Sequence, residues 1–205
     1  MIRALNRLIL YLLRQLISLI YLSYGKYLDV IYNLYGIEGI NRVMLRTRFP
    51  KYVLTKFGAK IGEGTIVYPH VFMDTDGKDY SNLIVGSKCR IMRDTFLDLT
   101  APIEVGDTAL IGNRVSIFTH LNLGDSDLKK VYPTVSGSVK IGKGASISTG
   151  SIVLHGVTIG EYSIVGAGSV ISRDIPPYSV AVGHPARVVK RLDLEGTNHK
   201  DNKSG

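Results

Sequence analysis

Beyond Gly58 the apolar positions of the chain advance in steps of six. Ile141, Ile147, Val153, Ile159, Val165 and Ile171 are successive β-branched aliphatics in phase. Ile61, Val67, Val85, Ile91, Leu97 and Ile103 carry the same step earlier in the chain. Small residues stand four positions after the aliphatics (Ala145, Ser151, Val157, Ser163, Ser169), and glycine often follows them directly, as at Gly62, Gly86, Gly106, Gly112, Gly142, Gly160 and Gly166. This step fits neither the turn of an α-helix, about 3.6 residues, nor plain two-residue alternation. It predicts short strands joined by sharp corners, with the β-branched residue inward, the small residue beside it and glycine easing the corner backbone. One such unit cannot bury its own face, so successive coils must stack about 4.8 Å apart. The expected fold is therefore an all-β solenoid. Breaks at 72–83 and 121–134 read as loops pushed out from corners, and two extra residues shift the phase before Val105.

The first 24 residues follow a different pattern. At about 100° per residue, Arg3, Arg7, Arg14 and Ser18 share one narrow strip of a helix, and most of the remaining circumference is Leu, Ile and Tyr. Arg14 splits the apolar run and no small-x-small cleavage site follows, which argues against a secretory signal. The longest uncharged run, 15–25, falls short of the roughly 20 apolar residues a spanning helix needs. Two readings stay open. One is peripheral membrane association, the helix lying in the interface with its arginines reaching for headgroups; the other is packing on the main body or between subunits. The expected division is an N-terminal helical extension (1–57), the solenoid (58–180), and a C-terminal segment with a flexible tail (181–205).

The net charge of +8 is spread along the 205 residues instead of gathering in one block. That favours anionic small molecules or an anionic membrane surface and argues against nucleic acid as a partner. The single cysteine, Cys89, excludes an internal disulfide and falls on an inward small position of the repeat, as a core thiol would.

The words IGEGTI, VGDTALIGN, IGKGAS and VTIGEYSIVGAGSVISRDIPPYSVAVGHPARVVKRL resemble the hexapeptide-repeat acyltransferases, of the sugar or polysaccharide O-acetyltransferase type. The resemblance covers residues 58–192. It implies a left-handed parallel β-helix with three hexapeptides per coil, and a homotrimer whose active sites lie between neighbouring prisms. It also implies transfer of an acyl group from a CoA thioester. The expected co-substrate is acetyl-CoA, with no metal, and the expected location is cytoplasmic, at the inner face of the membrane if the helix binds lipid. The apolar N-terminal helix is not a general feature of that family.

The stretch IFTHLNLGDSDLKK, 117–130, is where the chain leaves the prism. In the family a histidine at the root of such a loop is the general base, and SIFTH places that role on His120. The chemistry suits an imidazole, which can take the proton of a weakly nucleophilic hydroxyl as it attacks a thioester. A base needs orienting. Asp98, in FLDLTAP, lies one coil and the two-residue shift before His120, to within about two residues; its ordinary reading is a corner aspartate bonding its own backbone. Asp94 is the weaker candidate for the same task. Asn122, Asp125 and Asp127 in the loop suit a polyhydroxylated acceptor and equally a solvated loop. By the same resemblance Thr149, Ala167 and Ser172 line the pantetheine groove, while Arg173 and Arg187 meet the nucleotide end. Ala145 departs from the family pattern, where an aromatic is common. Cys89 as a core thiol favours direct transfer in a ternary complex over a covalent acyl-enzyme.

The expected function is acetyl-CoA-dependent O-acylation of a sugar or glycan hydroxyl. N-acetylation of an amino sugar and a non-catalytic β-helix scaffold are the alternatives. A zinc hydratase of the γ-carbonic-anhydrase type needs three histidines, two of them five apart. Histidines 70, 120, 155, 184 and 199 contain no such pair.

Overall fold

The structure is a computed structural model describing residues 2–193, with side chains from residue 9. It divides into two compact units, residues 1–43 and 44–205. The first unit is helical. Helix α1, Ile2–Met44, is broken at Gly36, whose φ of 62° and ψ of −156° lie outside the helical region.

The second unit begins at Met44. Helix α2, Pro50–Lys56, starts with proline in its first turn, where a missing N–H costs nothing, and buries Val53 and Leu54. Its Lys51 Nζ donates to the carbonyls of Gly62 and Thr65, at 2.9 and 3.3 Å. Residues 44–57 thus belong with the solenoid as the cover of its first coil.

The solenoid has three parallel faces. Sheet I contains 60–61, 83–85, 103–105, 139–141 and 158–159; sheet III contains 72–74, 96–98, 116–117, 152–153 and 170–171. Sheet II contains 66–67, 90–91, 110–111, 146–147, 164–165 and 179–183, and ends in 186–191, which turns back antiparallel on 179–183. The inward aliphatics predicted from the step of six stack in register from coil to coil: Ile141 pairs with Val105 and Ile159, Ile147 with Ile111 and Val165, Val153 with Ile117 and Ile171. All are buried. Each contributes about 1.5–3 kcal/mol by leaving water. Small inward positions carry hydroxyls that bond corner carbonyls, as Thr95 Oγ1 does to Met92 O (2.8 Å) and Thr65 Oγ1 to Gly86 O (2.6 Å). Cys89 is buried among them, with Sγ 3.1 Å from Gly106 O.

An undisturbed coil takes the 18 residues from Ile141 to Ile159. The earlier coils are longer, and every extra residue leaves at one edge, between sheet III and sheet I. Residues 75–82 follow Asp74, 99–102 follow Asp98, and 118–138 follow Ile117. The first expected loop is therefore shorter than the break at 72–83 implied, because 72–74 form a strand. Nor does it simply protrude: Tyr80 is fully buried, with its N–H bonded to Phe57 O at 2.7 Å. The second is closed at its base by an antiparallel pair, His120–Leu121 against Val135–Ser136.

The glycines after the aliphatics have another cause than corner torsion. Positive φ falls two residues later, and side-chain residues such as Lys88, Thr108 and Arg114 occupy it there. A Cβ on Gly106 would lie 2.6 Å from Lys143 N of the next coil, so that glycine permits the coils to stack. Gly106→Ala is expected to destabilise the fold by about 1–3 kcal/mol through forced backbone shift, checked as a fall in the midpoint of thermal unfolding.

Candidate active site

The edge that releases the extra residues also gathers the catalytic candidates. Asp98 ends the strand 96–98, and Leu97 pairs with Ile117 on the coil above, so the chain leaving Ile117 passes over the carboxylate. Asp98 is fully buried. Oδ1 accepts the N–H of Thr100 at 3.0 Å, the local corner bond that an aspartate here makes. Oδ2 accepts three further donors: Thr119 N at 2.6 Å, His120 N at 3.0 Å and His120 Nδ1 at 2.7 Å. One oxygen thus makes the corner bond and the other meets His120.

Burial pushes the Asp98 carboxyl up, but hydrogen bonds from Thr100, Thr119 and His120 outweigh it and hold the group below its ordinary value of 3.8. The group is an anion near neutral pH. An ionised carboxylate only accepts, so Nδ1 of His120 carries a proton, and in the neutral ring the lone pair then lies on Nε2. The His120 side chain is 23% exposed, against 1% for Asp98. The ring is held at its inner nitrogen and reachable at the outer one. A carboxyl with a lowered folded pKa adds stability above its unfolded value, and that stability is lost as pH falls through the folded value. The difference in unfolding midpoint between wild type and Asp98→Asn is accordingly expected to be full near neutrality and to shrink below about pH 4, measured by thermal melts across pH.

Thr119 completes the arrangement and was not singled out from the sequence. It is fully buried, donates through Oγ1 to Asp98 O at 3.0 Å and accepts Ala101 N at 2.9 Å. Its carbonyl accepts Gly137 N at 2.8 Å where the loop returns. Thr119 thereby ties the exit of the loop, its return and the coil beneath. The SIFTH word contained it, but an inward threonine there looks like any other small repeat residue.

Asp94 does not serve His120. It stands on the edge between sheets II and III with a φ of 57°, its Oδ1 3.5 Å from His70 Nδ1, and both side chains are about half exposed. The count of residues put it near the right coil but on the wrong corner. In the loop, Asn122 Oδ1 accepts Gly124 N at 3.0 Å, and Asp127 pairs with Lys130 Nζ at 2.6 Å in the short 3-10 turn Asp127–Lys130. Asp125 is exposed.

Of the residues expected to meet a nucleotide thioester, Ser172 and Arg173 follow Ile171 on the edge of His120, exposed and two coils further along. Thr149 and Ala167 stack on the II–III edge, with Gly168 N bonded to Thr149 O at 3.0 Å. Arg187 lies on the terminal hairpin opposite Val182. One chain therefore separates Thr149 and Ala167 from His120 by the width of sheet III. Ala145 is 1% exposed, an interior residue. Among the described residues no three His, Cys, Asp or Glu side chains group as metal ligands; His199 lies outside them.

Comparison with known proteins agrees with this geometry. A family model described as bacterial transferase hexapeptide (six repeats) matches residues 138–173. A serine acetyltransferase of Bacillus subtilis is 39% identical over 119 residues, 54% of this chain and 51% of that protein. The galactoside O-acetyltransferase of Escherichia coli is 30% identical over 141 residues, 66% of this chain and 64% of that one. The crystal structure of a maltose O-acetyltransferase from Clostridium difficile superposes with a TM-score of 0.62 at 27% identity, over 85% of this chain and 89% of that one. The chain spans about half the length of the Bacillus relative. The six-residue step, the stacked triangular coils and these matches agree: residues 138–173 match the bacterial transferase hexapeptide repeat, and the chain folds as a parallel β-solenoid similar to that of the maltose O-acetyltransferase.

Proposed function

We propose that the chain is an acetyl-CoA-dependent O-acetyltransferase acting on a hydroxyl of a sugar or glycan, with His120 as general base. The 2.7 Å bond from His120 Nδ1 to the buried Asp98 carboxylate is the observation that carries this reading. Nε2 takes the proton of the acceptor hydroxyl as its oxygen bonds to the thioester carbonyl carbon. The carbon–sulfur bond then breaks, and the imidazolium returns the proton to the departing sulfur, leaving an acetyl ester and free CoA. The Asp98 anion favours the imidazolium that forms midway. Cys89, buried and bonded to Gly106 O, is withdrawn from acyl chemistry, which supports direct transfer.

The donor would lie along residues of two copies. Thr149 and Ala167 of one prism would face Ser172, Arg173 and His120 of its neighbour in a homotrimer, with Arg187 toward the phosphates. Their separation within one chain supports that assembly. The acceptor would approach over the loop, where Asn122 and Asp127 shape the backbone and Asp125 is presented to solvent.

A sugar acceptor is favoured because the galactoside and maltose enzymes match over more of the chain. A serine hydroxyl is the second reading, favoured by the higher identity to the Bacillus protein; an amino sugar would use the same base. Thiol release from acetyl-CoA is to be followed against galactosides, maltose, glucosamine and L-serine, with the product identified by mass. O-acetylated sugar is the expected product. Turnover confined to L-serine or to the amine would overturn the acceptor class, and no turnover with any acceptor would overturn the reaction.

A further inference from the structure

We infer that helix α1 docks in the headgroup layer of an anionic phospholipid membrane. The inference does not rest on the proposed acetyl transfer. From Ile9 to Leu22 the helix presents large apolar side chains to solvent, with Leu10 59%, Leu19 62% and Leu22 59% exposed. Such a surface needs a cover. Three observations identify it.

The first is charge. Arg3, Arg7, Arg14 and Lys26 precede the first acidic residue of the chain, Asp29. The first 28 residues of the chain are thus basic and free of acidic residues, and such an amphipathic segment complements anionic headgroups. Copies of this segment packed side by side would bring the same basic strips together with no carboxylate before Asp29 to answer them. The second is the placement of tyrosines. At about 100° per residue, Tyr21 stands in line with Arg3 on one edge of the strip of Arg3, Arg7 and Arg14, Tyr11 lies just beyond the other edge, and both are exposed. Tyrosine concentrates at the membrane–water boundary, with its ring in the acyl region and its hydroxyl in water. The third is the break in the apolar run. Arg14 interrupts it, and the uncharged run that follows, 15–25, is shorter than the roughly 20 apolar residues a spanning helix needs. A helix of this pattern fits the surface, apolar side down and basic strip toward the phosphates.

Vesicle flotation of the full chain tests this, using phosphatidylcholine alone and phosphatidylcholine with one third phosphatidylglycerol. Recovery with the anionic vesicles is expected to exceed that with neutral ones by about ten-fold or more. The triple reversal Arg3→Glu, Arg7→Glu, Arg14→Glu should abolish that difference, and Leu12→Asp with Leu16→Asp should abolish flotation on both. Unchanged unfolding of the solenoid in each variant shows that the helix alone was altered. Wild-type protein that floats on neither vesicle, or whose flotation ignores charge reversal, overturns the proposal. Thiol release with a water-soluble acceptor reads the proposed chemistry separately, so the two failures are distinguishable.

Discussion

Asp98→Asn is expected to lower turnover by about 100- to 10,000-fold while barely changing the KM for acetyl-CoA. The reason lies in the number of acceptors. Asp98 takes a donor on Oδ1 from Thr100 and three donors on Oδ2, from Thr119 N, His120 N and His120 Nδ1. An amide of the same size accepts on one atom only. With its oxygen toward His120, its NH2 confronts the Thr100 N–H; turned over, it confronts three donors. Either arrangement leaves a buried donor unpaired, at about 1–3 kcal/mol. It also removes the anion that keeps the proton on Nδ1 and the lone pair on Nε2. Steady-state kinetics beside thermal melts separate the two effects: stability should fall modestly, turnover by orders of magnitude.

His120→Ala should have a kinetic effect as large, with a smaller cost in stability. The ring is partly exposed and makes one bond inward, so its loss leaves Asp98 with three backbone donors still in place. The solenoid beneath it keeps its register, since Ile117 and Val153 are fixed by ladder and burial. What disappears is the group that takes the hydroxyl proton, worth about 100- to 10,000-fold. The measurement is thiol release at saturating acetyl-CoA, with the donor KM expected to stay within a few-fold. A rise in KM at unchanged kcat would instead make His120 a binding residue.

Much of the fold was legible because the solenoid repeats one physical requirement at each corner. An inward β-branched residue every six positions leaves few other arrangements, and the ladders join the aliphatics the spacing had aligned. The reach of Asp98 to His120 was also legible, since counting by coils places one over the other. Asp94 shows the limit of counting: it lies one corner away, and only the stacked geometry separates the two aspartates. Glycine was harder to read. The same residue serves positive φ and close approach, and at Gly106 the second requirement decides. Thr119 escaped because its role exists only where three segments meet, Asp98, Ala101 and the returning Gly137. The placement of Thr149 and Ala167 on a different edge from His120 follows from the phase of the repeat.

The central claim is that Asp98 acts on catalysis through His120. Turnover of the double variant His120→Ala, Asp98→Asn, set beside the two single variants, tests it most directly. With the imidazole gone there is nothing left for the carboxylate to orient, so the double variant should turn over within about two-fold of His120→Ala. A further loss as large as that of Asp98→Asn alone would contradict the account.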